Sequence, residues 1–325
     1  MRPIILTLAL LCSVLSFGND ILQKTNMQSY EISIRTTVEH WGMGDSETDL
    51  FLAYLKSNEY QNCKKSRVDE TAKVAPLGRV GDSCIYYNIP LGRKKLFGKK
   101  ATFHNAFELE TYDIEVDFEK IDSLYEYDAC DPNVMLYTSS SKPFIDVEQP
   151  YLFDISEAIM NESSDILDYA ERCYLFVASR FEYGERESGF KTLNYTLLNR
   201  KGDCGNLSSV FITLLRMQGI PARHLMGFRP DGGLHVWADF YLQNYGWIPV
   251  DVTYKHDYPS QDYFGKIKFE HNGFIVQRGI AHQIDVLESP KRIAGLQTYT
   301  YEVSYNKPHH AKVYISRKVD CVKKS

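Results

Sequence analysis

The chain has 325 residues, with 37 Lys and Arg against 42 Asp and Glu, a formal net charge of −5, and 44% hydrophobic residues. That length calls for about two domains of roughly 100–200 residues each, and the apolar content excludes a wholly disordered chain. The acidic balance argues against a nucleic-acid binder or an anionic-membrane binder, either of which needs a basic footprint.

Residues 1–18 read as a secretory signal. Arg2 supplies the positive start, Ile4 to Phe17 an apolar run of about the right length, and Ser16-Phe17-Gly18 small residues at the −3 and −1 positions of a cleavage site. The run is too short for a comfortable membrane span, and no second run of about 18 apolar residues follows. The expected location is therefore secreted or periplasmic, with no membrane span. Seven cysteines are present, and Cys12 falls within the signal. Export permits disulfides among the rest, but sequence cannot choose the pairs. Cys173 lies on the apolar stripe of a predicted helix, where a free buried thiol is expected.

Residues 19–145 are expected to form a β-sandwich-like domain. Alternation of apolar and polar residues in Tyr30-Glu31-Ile32-Ser33-Ile34 and in Tyr112 to Phe118 predicts half-buried strands, with others at Ile85–Ile89 and Phe107–Glu110. Residues 119–150 look irregular, marked by Asp131-Pro132 and Lys142-Pro143. The period then changes. Ile166, Tyr169, Ala170, Cys173, Tyr174 and Val177 share one face of a helix within 164–181. Leu207, Val210, Phe211, Leu214 and Leu215 predict a second helix over about 203–218, closed by Gly219 and Pro221. Strands are expected at 223–228, 234–242 and 246–254. The region 146–290 is thus an α+β core, with 291–325 left as a closing β-hairpin and tail.

Cys204 stands at the start of the second predicted helix, after Lys201-Gly202-Asp203. First-turn N–H groups carry a partial positive charge that favours thiolate, and Asp203 is placed to cap them. His235 and Asp251 follow on two strands separated by a short turn, so these should pair as a hairpin. A three-residue loop closed by Leu242 and Gly246 puts Thr253 opposite His235 and makes Asp251 its same-face diagonal neighbour, at about 7–8 Å. A two-residue loop sends His235 and Asp251 to opposite faces. In the odd register, Cys204 is a candidate nucleophile, His235 the general base and later acid, and Asp251 the group that orients the imidazole. The Cys204 N–H is a natural oxyanion donor. Trp237 and Trp247 are candidate walls of a substrate groove, Arg223 an anchor for the chain after the helix, and Tyr183 a core residue. No CxxC pair and no EF-hand loop occurs, so neither a metal nor another cofactor is expected.

Gly202-Asp203-Cys204, Arg216 to Arg223, His235-Val236-Trp237 and Gly246 to Thr253, in that order, resemble the core of the transglutaminase-like superfamily over roughly 150–290. The resemblance implies a papain-like α+β fold carrying a Cys-His-Asp triad at Cys204, His235 and Asp251. It implies enzymes that act on amide bonds of proteins or peptides, by hydrolysis or by transfer to an amine. The upstream strands resemble modules that precede such cores in secreted bacterial members. Because the superfamily includes members that have lost activity, a binding or scaffolding protein with a vestigial triad is the rival expectation.

Overall fold

The computed structural model describes residues 21–41, 46–78, 81–91, 99–184, 189–254, 262–284, 286, 291–305 and 312–324. The signal expected over 1–18 lies outside them.

Six strands open the described chain: β1 (Leu22–Trp41), β2 (Ser46–Ala53), β3 (Gln61–Arg67), β4 (Lys73–Leu77), β5 (Asp82–Leu91) and β6 (Lys99–Val116). The alternation read from sequence sorts them onto two faces. Tyr30, Ile32 and Ile34 turn inward while Glu31 and Ser33 face out, and Ile32 lies opposite Phe107 in the antiparallel β1–β6 ladder. Leu50, Leu52, Ile85, Tyr87 and Ile89 from β2 and β5 meet Ile32, Ile34, Val38, Phe107 and Leu109 from β1 and β6 in one apolar cluster. Two antiparallel sheets packed face to face give the expected sandwich.

A short helix α1 (Pro132–Tyr137), capped by Asp131, interrupts the segment expected to be irregular. Helices α2 (Pro150–Glu162) and α3 (Ile166–Arg180) follow. The predicted stripe of α3 is buried, including Cys173, and the Tyr169 hydroxyl ties α3 to Ser156 Oγ (2.8 Å) of α2. Next come β7 (Glu182–Tyr183), α4 (Leu193–Asn199), β8 (Lys201–Gly202) and α5 (Cys204–Met217). The core sheet is β9 (Ala222–Phe228), β10 (Leu234–Leu242), β11 (Gly246–Val250) and β13 (Phe274–Arg278), in the order β11-β10-β9-β13. Between β11 and β13 lie β12 (Lys266–Ile267) and α6 (Phe269–Asn272). Every residue of β9 is buried: one face of the core sheet carries α5, and Phe228, Phe274 and Val276 join the sandwich cluster. The fold is α+β, with a helix packed on an antiparallel sheet and a sandwich before it.

The C-terminal strands differ from expectation. After a small ladder of β14 (His282–Ile284) and β15 (Lys291–Ile293), β16 (Tyr299–Tyr305) pairs with β2 and β17 (Lys312–Lys323) with β1. They occupy edges of different sheets instead of closing a hairpin. Alternation identifies a strand but not its partner, and here each strand is recruited by an edge more than 200 positions upstream. The six described cysteines are free thiols.

Candidate active site

The loop before α5 is fixed from three sides. β7 and β8 pair in parallel, with Tyr183 opposite Gly202. A Cβ on Gly202 would lie 2.6 Å from that of Asn206, so glycine is required by close approach. Asp203 caps α5 through Asn206 N (3.2 Å) and also accepts from Gly189 N (2.9 Å). Asn206 is itself buried and its Oδ1 accepts from Lys191 N. These contacts set Cys204 at the first position of the helix, partly exposed while the rest of α5 through Arg216 is buried. Tyr183, expected in the core, is 37% exposed instead and stands beside the residues leading into Cys204.

The hairpin of β10 and β11 takes the odd register: Leu242 pairs with Gly246, and the ladder runs back to Ala238 opposite Val250. Asp251, one residue beyond, lies on the His235 face, and His235 Nε2 is 2.6 Å from Asp251 Oδ2. The Cys204 sulfur lies near enough to the same imidazole to favour its charged form. Burial alone would lower the pKa of His235. The carboxylate of Asp251 and the sulfur reverse that and raise it to about 10, so the ring holds its proton at neutral pH. Burial works against ionisation of Asp251 as well, but the imidazolium and the Thr253 donors prevail and lower its pKa.

Three positions singled out in the sequence therefore meet: Cys204, His235 and Asp251. The two tryptophans separate. Trp237 is fully buried, its ring nearly parallel to His235 with centroids 5.6 Å apart. Trp247 is also buried, and packs 3.6 Å beneath the guanidinium of Arg223. Arg223 acts as the expected anchor, through Asp239 and Glu59. Among the described residues no group of three or more His, Cys, Asp or Glu is placed to hold a metal.

Several residues around the carboxylate were not foreseen. Asn272, fully buried at the end of α6, donates from Nδ2 to Asp251 Oδ2 (2.8 Å). Thr253 donates from its N (3.1 Å) and Oγ1 (2.7 Å) to Oδ1, an Asx turn that the order Asp-Val-Thr allows. The edge of Tyr254 meets the His235 ring at 5.0 Å. Gln297 Nε2 clamps the backbone by donating to both Gly227 O and His235 O (2.8 and 2.9 Å). Asn272 lies 21 positions from Asp251 and carries no local signal beyond its turn-forming pair with Gly273. Replacing it by Ala removes a charge-assisted donor from a buried carboxylate. The expected result is a slowing of iodoacetamide alkylation at Cys204 by about tenfold at pH 6, with the acid limb of its pH profile moved upward. An unchanged limb would mean that Asn272 only fills space.

Residues 154–252 match the transglutaminase-like superfamily. The matched span contains all three converging residues. Over a 76-residue alignment the chain is 36% identical to an uncharacterized protein of Haemophilus influenzae, covering 16% of this chain and 21% of that protein. It thus spans about a fifth of the length of that curated relative. A solved structure described as a candidate cysteine protease from Cytophaga hutchinsonii superposes over 94% of this chain and 93% of its own, with a TM-score of 0.58 and 13% identity. The shared fold therefore includes the sandwich as well as the transglutaminase-like core. The periplasmic domain of TgpA from Pseudomonas aeruginosa overlaps 68% of this chain and 88% of its own, with a TM-score of 0.35 and 13% identity. No helix among the described residues is long and apolar enough to cross a membrane.

Proposed function

We propose that the chain is an exported thiol enzyme acting on amide bonds of proteins or peptides through a thioester at Cys204. The observation that carries this reading is the single imidazole held between the Asp251 carboxylate and the Cys204 sulfur. In the first half-reaction the sulfur, as thiolate, attacks the amide carbon. The oxyanion forms beside the Cys204 N–H, which has no helical acceptor in the first turn. His235 gives its proton to the departing amine as the C–N bond breaks, leaving the acyl group on sulfur. In the second, His235 takes a proton from water or an incoming amine as that nucleophile attacks the thioester, and the thiolate leaves. Asp251 holds the ring in place and stabilises the imidazolium throughout. The charged, apolar and small-residue order of positions 1–18 supports export.

Alkylation by iodoacetamide tests the reading without a known substrate. Burial pushes Cys84 and Cys321 up to about 11 and Cys173 to about 12, and raises half-buried Cys63 as well, so these thiols do not compete at pH 6. Exposed Cys130 is removed as Cys130→Ser. Cys204 is then expected to react at pH 6, and His235→Ala to slow it by about tenfold or more at that pH. A Cys204 that reacts only as pH approaches 8.5, regardless of His235, would favour a scaffold with a vestigial triad. With a casein-type protein and a labelled amine, release of peptides marks hydrolysis, and incorporation of the amine marks transfer.

A further inference from the structure

At the far end of α5, twelve residues and about 18 Å of helix from Cys204, a cavity of about 310 Å³ opens between α1, the turn after β4 and the β14–β15 ladder. Arg216, only 4% exposed, lines it. Its Nε donates to Ala222 O (2.8 Å), and its Nη1 to Ser139 O (2.6 Å) and more weakly to Ser141 Oγ (3.4 Å). All of these acceptors are neutral. Nη2 makes no hydrogen bond to a described residue, and no described carboxylate pairs with the guanidinium. The nearby Asp82 is taken up by Arg278 at 2.9 Å. Burial lowers the pKa of Arg216, but only to about 10, so the group stays charged at neutral pH. Its place in the last turn of α5 lets the helix dipole tolerate a cation there, without neutralising it.

Exposed Arg292 lines the same cavity from β15, and the Ser141 hydroxyl adds a donor. His282 contributes no charge, since burial lowers its pKa. Leu136 and Ile280 form an apolar part of the wall. Two guanidiniums, a hydroxyl and an apolar patch in a cavity of this size match one kind of ligand. We propose that this cavity is a binding site for a small organic anion, its carboxylate or phosphate held by Arg216 and Arg292 and its apolar body resting on Leu136 and Ile280. The site is separate from Cys204 and does not depend on the thiol reading.

The test is calorimetric titration of the full chain with butyrate and with inorganic phosphate, each against chloride at matched ionic strength. Saturable one-to-one binding of at least one probe is expected; tighter butyrate points to a carboxylate ligand and tighter phosphate to a phosphate ester. Arg292→Ala, at an exposed position that leaves the fold intact, should weaken binding by about tenfold, and Arg216→Gln should abolish it. If Arg216→Gln fails to fold, Arg292→Ala decides alone. Absence of saturable binding by both probes, or equal affinity in wild type and Arg292→Ala, overturns the proposal.

Discussion

Asp251→Asn is expected to slow alkylation of Cys204 at neutral pH, and any turnover of a casein-type substrate, by about 10²-fold or more. In the wild type, burial of His235 opposes its charge, and Asp251 is the principal group that overrides the opposition and lifts the pKa to about 10. An amide at the same position keeps the shape but supplies no charge. It also offers either nitrogen or oxygen to Nε2, so the ring loses both its proton and its fixed tautomer. The desolvation that remains then pulls the imidazole's pKa down, opposed only by the Cys204 sulfur. The same pair makes a signed prediction for stability. The folded pKa of His235 is raised, so its contribution is complete below 6.5 and fades as pH climbs through about 10. That of Asp251 is lowered, so its contribution is present above 3.8 and is lost as pH falls through its folded value. Urea midpoints of wild type and Asp251→Asn should therefore differ most between about pH 4 and 6.5 and converge towards pH 10. A gap that stays constant from pH 6 to 10 would mean that the imidazolium–carboxylate pair is not formed.

The readable parts of the site were those written in local spacing. A cysteine after Gly-Asp marks a helix start, and the short turn between two strands leaves two registers for His235 and Asp251; the Leu242–Gly246 pairing selects the one that puts them on one face. Asn272 and Gln297 were invisible for the opposite reason. Each acts at a distance in sequence, on Asp251 and on the His235 carbonyl, and polar side chains of this kind look like ordinary turn residues until the fold brings them in. The fold divides along the same line. Periodicity marked α3, α5 and the inward faces of β1 and β6, but the partners of β16 and β17 depend on edges formed by the other end of the chain. Trp247 shows the limit of residue type as a guide: a tryptophan near a candidate site serves here as a platform for Arg223 in the interior.

That platform belongs to the charge network on which the second large effect is expected. Arg223→Met should destabilise the protein by about 3–5 kcal/mol, measured as a loss of denaturation free energy in urea. Arg223 is 2% exposed and lies against the Trp247 ring. It donates from Nε and Nη2 to Asp239 (3.0 Å each) and from Nη2 to Glu59 (3.1 Å). Glu59 also accepts from Arg278 Nη1 (3.2 Å), Arg278 donates from Nη2 to Asp82 (2.9 Å), and the Tyr60 hydroxyl donates to Asp239 (3.2 Å). Glu59, Tyr60 and Asp82 come from the sandwich part of the chain and Arg223, Asp239 and Arg278 from the core sheet, so the network joins the two. Methionine fills much of the arginine's volume while leaving the Asp239 carboxylate, fully buried, without its cation, and the uncompensated charge is what makes the loss large. Arg223→Met combined with Asp239→Leu removes both charges and should recover a substantial part of the loss, because a well-packed apolar pair replaces a buried ion pair at little net cost. Burial favours the neutral acid at Glu59, yet Arg223 and Arg278 hold its pKa down to about 2. Its share of the stability is therefore present above 4.5 and disappears as pH falls through about 2, and Arg223→Met should begin acid unfolding at a higher pH than wild type. If the single variant loses less than about 1 kcal/mol, the network behaves as a solvated surface cluster, and the joint between sandwich and core rests on apolar packing and on neutral contacts such as the Gln61 amide with the Ile275 backbone.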